Sequence, residues 1–131
     1  MSENVQIVRE MYEAFNRGEL ARASEMLHPD AELHQAPGIP DAASYIGRDE
    51  WERGFALWLS EWEQPLFEPL EIADAAGGVI VRVRVSGVGK ASGIPVATEF
   101  FHAWTLRDGK PDRCFVRTSR TDALRDSGLE E

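Results

Sequence analysis

The 131-residue sequence holds three histidines, and one of them interrupts a run that is otherwise apolar and β-rich. In PVATEFFHAWTL, residues 95–106, His102 stands between Phe100 and Trp104. Side chains alternate across a strand. Thr98, Phe100, His102, Trp104 and Leu106 therefore share one face, and Glu99, Phe101, Ala103 and Thr105 the other. The first set is bulkier and Glu99 belongs outside, so His102 is expected to point inward. An imidazole titrates near neutral pH and suits general acid or base work, which makes His102 the candidate catalytic residue. The competing reading is a core histidine bonded to a backbone or side-chain acceptor.

Other side chains could line a ligand site. His34 ends a short strand just before a Pro/Gly-rich loop, although strand parity groups it with Glu32 on an outer face. Tyr45 lies in that loop, where its hydroxyl could orient a ligand. Trp58 and Trp62 fall on the apolar stripe of a predicted helix and could stack on a flat molecule, or simply be core. With Phe100 and Trp104 they define a largely apolar cavity fitted to an aromatic or polycyclic compound.

Three tempting motifs fail. SGVGKAS, residues 86–92, hints at a phosphate loop, but Arg84 stands where the first glycine belongs and Ala91 where Ser or Thr should be. It also joins strand to strand, with no helix N-terminus to hold phosphate. HPDAELH offers His28, Asp30, Glu32 and His34, too compact for a usual zinc site. No nucleophile-elbow sequence supports a Ser-His-Asp triad. Neither a metal nor an organic cofactor is signalled.

The elements that must position these residues can be read from periodicity. Val5, Val8, Met11, Tyr12 and Phe15 form one stripe of an amphipathic helix, with Ser2 able to cap it and Gly18 to end it. A short second helix carries Leu20, Ala23 and Leu27, and His28-Pro29-Asp30 stops it. Residues 31–35 read as a strand, and APGIPDAASYIG as a loop punctuated by Pro37, Gly38, Pro40 and Gly47. A third helix starts at Arg48, with Trp51, Phe55, Trp58, Leu59 and Trp62 on one stripe.

The rest is mainly strand. Residues 66–74 are interrupted by Pro69, 79–86 alternate cleanly, and 95–106 and 112–119 flank an Asp108-Gly109 hairpin signal. Ser119 caps a terminal helix that ends at Gly128. Segregated helices and strands imply an α+β fold, in which a twisted sheet wrapped partly round the helices leaves a cavity between the layers. A single domain over residues 1–131 is expected.

In VIVRVRV, Val79, Val81, Val83 and Val85 share the face expected to meet the helices, with Arg82 and Arg84 opposite. In the last strand Cys114 and Val116 face in, and Phe115 joins Phe101 and the arginines outside. Outward aromatics on neighbouring strands form an apolar patch. A homodimer through Arg82, Arg84, Phe101 and Phe115 is one reading, and cover by a loop or the C-terminal helix is the other.

Bulk properties narrow the partners. A net charge of -9 makes nucleic acid and anionic membranes poor partners. The single cysteine, Cys114, allows no internal disulfide. No basic, apolar leader opens the chain, and no apolar run approaches the roughly 20 residues of a membrane span. A cytoplasmic location is expected.

Several stretches together resemble SnoaL-like proteins of the nuclear transport factor 2-like superfamily. They are VREMYEAFNRGELARASEMLHPDAELH, SYIGRDEW, VRVSGVGKASGIPV, HAWTLRDGKPDR and DALRDSGL. The resemblance implies a cone-shaped α+β fold of the cystatin-like kind: a strongly bent, mostly antiparallel sheet wrapped around three N-terminal helices and a deep pocket, with a short C-terminal helix. It also implies frequent homodimers. The superfamily includes polyketide cyclases, epoxide hydrolases, ketosteroid isomerases, dehydratases and binding proteins, so the fold does not name the reaction.

By the same resemblance, the aspartate of SnoaL-like cyclases falls at or near Val116. The Arg/Asp pair of the limonene epoxide hydrolase-like members falls near Val83 and Val85. Valine can neither transfer a proton nor polarise an oxygen, so those positions become pocket lining. The expected function is recognition of a hydrophobic, oxygenated small molecule in an apolar pocket, with isomerase-, cyclase- or lyase-type proton transfer centred on His102 and assisted by Tyr45 or His34. The alternative is a non-catalytic ligand-binding or dimerisation module.

Overall fold

The computed structural model describes residues 2–35 and 44–130. The Pro37-Gly38-Pro40 part of the expected loop lies outside them. In chain order the elements are α1 Glu3–Asn16, α2 Leu20–Met26, β1 Glu32–His34, β2 Ser44–Ile46, α3 Arg48–Leu59, β3 Trp62–Ala75, β4 Gly78–Gly89, β5 Pro95–Arg107, β6 Lys110–Arg117 and α4 Arg120–Ser127.

The helices begin and end for local reasons. Ser2 Oγ accepts the Val5 amide at the start of α1, and Ser119 Oγ accepts that of Asp122 at the start of α4. Gly128 closes α4 in the left-handed conformation that glycine adopts without a Cβ penalty. The β5–β6 turn has Asp108 and Gly109 both at positive φ, the backbone of a tight two-residue hairpin.

The six strands form one sheet in the order β2-β1-β6-β5-β4-β3. β1 runs parallel to β6, and the other neighbours are antiparallel. The sheet is bent, and register shifts lie in β3 between Glu63 and Leu66 and between Pro69 and Glu71. Such bulges bend the bulged strand and increase its twist. They also explain how β3 keeps pairing through Pro69, where an interruption was expected, and takes in Pro65: β3 is an edge strand, which tolerates missing amide donors.

Strand parity places the layers as expected. Val79, Val81 and Val83 are fully buried on the concave face, each burial contributing about 2 kcal/mol. They join Val5, Val8, Met11 and Tyr12 of α1, Trp51 of α3, Trp104 and Cys114 in one core. Arg82 and Arg84 lie on the convex face, where Arg82 pairs with Glu99 at 2.7 Å and Glu71 at 3.3 Å.

A second, smaller core lies on the convex side. Ala123 and Leu124 of α4, with Leu129, pack on Ile80, Ala103, Phe101 and Phe115. Phe115 is thus covered by the protein's own C-terminal segment, and Phe101 only partly. The carboxyl-terminal helix therefore takes up part of the apolar patch that two outward aromatics announce.

Two local assignments differ from the sequence reading. Tyr45 is not in a loop but in β2, paired with Leu33. A three-residue strand is too short to show alternation, so only its partner reveals it. Trp62 is not on the third helix: α3 ends at Leu59 and Trp62 opens β3. Its spacing from Trp58 imitates a helical stripe because a tight turn returns the chain to the same side, where the two rings lie 5.8 Å apart.

Candidate functional site

β5 carries His102 inward between Val81 of β4 and Val116 of β6, its cross-strand partners. α1 lies across that face, and Tyr12 is brought over the histidine by the same stripe that buries Val5 and Val8. The Tyr12 hydroxyl is 2.7 Å from His102 Nδ1, and Trp104 Nε1–H donates to the Tyr12 oxygen at 3.0 Å. The Tyr12 and His102 rings stack, and Trp104 meets both edge-on. Trp51 of α3 stacks on Trp104 with centroids 5.9 Å apart.

This network is largely shut off from solvent. His102 is 5% exposed, and burial lowers its pKa to about 3, because a buried imidazolium loses its hydration. Burial pushes the Tyr12 phenol and the Cys114 thiol upward. At neutral pH the three groups are an uncharged imidazole, phenol and thiol, held in an apolar layer.

Exposure rises along the concave face toward the far ends of β4 and β5. Val79, Val81 and Val83 are shut off from solvent, whereas Val85 and Phe100 are half-buried and Val96 is 44% exposed. Phe15, Phe55, Trp58, Trp62 and Phe67 gather at this open end, all half-buried. Phe55 stacks on Trp58, and Phe67 meets Phe15, Phe55 and Trp58 edge-on. Phe67 also leans on His102, with centroids 6.2 Å apart.

The expected cavity between the layers is taken up around His102 by the rings of Tyr12, Phe67 and Trp104. Recesses lie elsewhere among the described residues. One of about 400 Å³ is bordered by Ile46, Arg48, Asp49 and Arg53, and one of about 330 Å³ by Gln64, Arg84, Ser86 and Val96. His102 borders neither.

His102, Trp104, Val83, Val85, Phe100 and Val116 therefore share the concave side with Trp58 and Trp62. His34 lies on the convex face, stacked on Phe115 at 4.8 Å and bonded to Glu32 at 2.8 Å. Tyr45 rests its ring on α3 at Gly54, where a Cβ would collide with it. Neither His34 nor Tyr45 is placed to assist His102. Among the described residues no group of three or more His, Cys, Asp or Glu converges on a metal position. In HPDAELH, His28 Nδ1 instead accepts the Asp30 amide and lies 3.0 Å from the Arg107 guanidinium.

Tyr12, Trp51 and Phe67 are the site residues that sequence reasoning missed. Tyr12 and Trp51 were read as stripe residues, and the hydroxyl on a buried helical stripe was the available signal for Tyr12. Phe67 sits in a bulged strand whose alternation is broken, so nothing local marked it.

Helices packed across the concave face of a bent six-stranded sheet, round a buried His-Tyr-Trp network and an aromatic open end, define a nuclear transport factor 2-like α+β protein. The chain belongs to the SnoaL-like domain family, whose model matches residues 8–113. No curated protein matches. Among solved structures, an NTF2-like protein from Burkholderia thailandensis is 27% identical, with 98% of each chain covered and a TM-score of 0.80. TerC co-crystallised with polyporic acid is 21% identical, covering 95% of this chain and 97% of its own, with a TM-score of 0.79. A candidate polyketide cyclase from Sinorhizobium meliloti is 25% identical, covering 86% and 94%, with a TM-score of 0.68. No helix among the described residues is long and apolar enough to cross a membrane.

Proposed function

We propose that this SnoaL-like protein binds a flat, hydrophobic, oxygenated small molecule at the open end of its concave face. The observation that carries this reading is the set of half-buried rings there: Phe55, Trp58, Trp62, Phe67 and Phe100, on the side of the sheet that is otherwise sealed. Aromatic side chains left half-exposed in a concave layer offer apolar contact that a flat ligand completes. Val85 and Thr98 border the same end from the sheet. Association of TerC with polyporic acid is consistent with such a use of the fold.

Proton transfer by His102 is the second reading, favoured by its 2.7 Å contact with Tyr12 on the concave face. The lowered pKa of His102 weighs toward binding, since an imidazole with a pKa of about 3 is a poor proton acceptor at neutral pH. We also propose a homodimer through the convex face that α4 leaves open, where Arg82, Arg84 and Phe101 lie beside the exposed Leu66 and Leu70.

The test is a titration with polyporic acid and a panel of aromatic ketones, lactones and epoxides, read by tryptophan fluorescence and thermal shift. A saturable quench with a raised melting temperature is expected, and Trp58→Ala should abolish both. A panel in which no compound alters either signal would overturn the reading.

A further inference from the structure

One polarity of the hydrogen bonds round Tyr12 leaves its phenolic hydrogen paired. Trp Nε1–H is a donor and never an acceptor, so at 3.0 Å it gives its hydrogen to the Tyr12 oxygen. The single phenolic hydrogen then points to His102 Nδ1, 2.7 Å away. In that arrangement Nδ1 presents a lone pair and the hydrogen of the neutral imidazole sits on Nε2, whereas an Nδ1–H would leave the phenolic hydrogen with no acceptor among the described residues. Burial keeps both the ring and the phenol uncharged.

Nε2–H has no acceptor among the described residues. The one fully enclosed, unpaired side-chain polar atom among them is Arg9 Nε, and His102 keeps only 5% of its surface exposed, so a ligand oxygen would reach Nε2 only by entering between the surrounding rings. Its surroundings are apolar: Val81 and Val116 flank His102 across the strands, and the Phe67 ring leans on it from the aromatic open end.

We propose that His102 Nε2–H is a donor of fixed polarity that selects ligands carrying a neutral acceptor oxygen, such as a ring ketone, quinone or lactone carbonyl, with Tyr12 and Trp104 as positioning residues. This inference rests on the binding reading above and adds the polarity of the ligand to it. A carbonyl satisfies the donor, a hydrocarbon of the same shape leaves it unpaired, and an ammonium group faces a second donor. Trp104 acts through Tyr12, and Tyr12 acts by holding the imidazole in one tautomer.

Fluorenone and fluorene test this, because they share a flat tricyclic outline and differ by a carbonyl for a methylene. Fluorenone should bind about tenfold more tightly, the yield of one well-placed hydrogen bond in a dry site. NMR of the histidine ring nitrogens should find the His102 hydrogen on Nε2 from about pH 5 to about pH 9, with that resonance moving for fluorenone and not for fluorene. In Tyr12→Phe the preference should shrink to within about twofold while fluorene affinity holds; a variant that merely loosens the fold would weaken both ligands alike. Equal affinities in the unaltered protein, or a hydrogen on Nδ1, would overturn the donor assignment and leave the binding reading standing. If neither compound binds and no member of the wider panel does, the binding reading falls and this inference falls with it.

Discussion

An imidazole carried into the interior of this domain leaves its charge behind, and the fold becomes sensitive to acid in consequence. At neutral pH His102 is uncharged in both the folded and the unfolded chain. As pH falls below about 6.5 the unfolded chain takes up a proton, while the folded chain does not until about pH 3. The unfolded state then binds more protons, so stability falls with falling pH across that window. The full effect is of order 5 kcal/mol, and at about pH 4.5 roughly half of it is spent. Denaturant unfolding at about pH 7 and about pH 4.5 should show His102→Gln losing about 2–3 kcal/mol less than the parent between the two conditions. Asp126, whose pKa is held down by Arg117 and Arg125, gives a slope of the same sign, but it is present in both proteins and cancels. Parallel slopes would mean that His102 titrates normally. That His102 points inward was legible from alternation, because its face holds the bulkier residues and Glu99 falls on the opposite one. Its partner was not, because Tyr12 lies 90 residues away in sequence.

Elements here obey periodicity except where a close tertiary contact overrides it. Gly54 is such a place. It lies in the interior of α3, where glycine costs about 1 kcal/mol relative to alanine, and it persists because the Tyr45 ring occupies the space of its Cβ. Gly54→Ala should therefore destabilise the protein by about 1–3 kcal/mol through overpacking. In a Tyr45→Ala background the same change should stabilise it by about 0.5–1 kcal/mol, as helix propensity alone requires. Thermal unfolding of the four proteins in the cycle reads the sign, and destabilisation in both backgrounds would refute the steric account. The valine row of β4 could be placed from sequence because its alternation is unbroken over seven residues, Val79–Val85. β3 could not, because two bulges break the alternation on which parity depends. Trp62 was assigned to a helix for a related reason: four-residue spacing cannot distinguish a helical turn from a chain reversal.

At the scale of the molecule the sheet has two loaded faces. The concave one carries the main core and the aromatic open end, and the convex one is shared between α4 and exposed surface. Leu129 is 6% exposed and belongs to the convex core, and Glu130 pairs with Ala76 beside it. Leu129→Asp should cost about 2–4 kcal/mol, from lost apolar burial and a charge placed against Phe115 and Ile80. Increased binding of an apolar dye should accompany it as the C-terminal segment lifts. Unchanged stability would place α4 outside the cooperative unit. For the proposed dimer, Arg84→Glu sets a third acid beside Glu68 and Glu99, its cross-strand neighbours. Sedimentation should then show a shift toward monomer at low salt.

Strand parity, the helical stripes and the family's characteristic stretches were local properties of the chain. They determined by themselves the α+β class, the inward histidine and the outward arginines. Packing decided what stands next to what: Tyr12 over His102, Trp51 on Trp104, Phe67 across the layer, and α4 over Phe115. Alternation specifies the face a side chain occupies. It carries no information on which residue of another element arrives there, since that depends on how the bent sheet and the helices fit together in three dimensions.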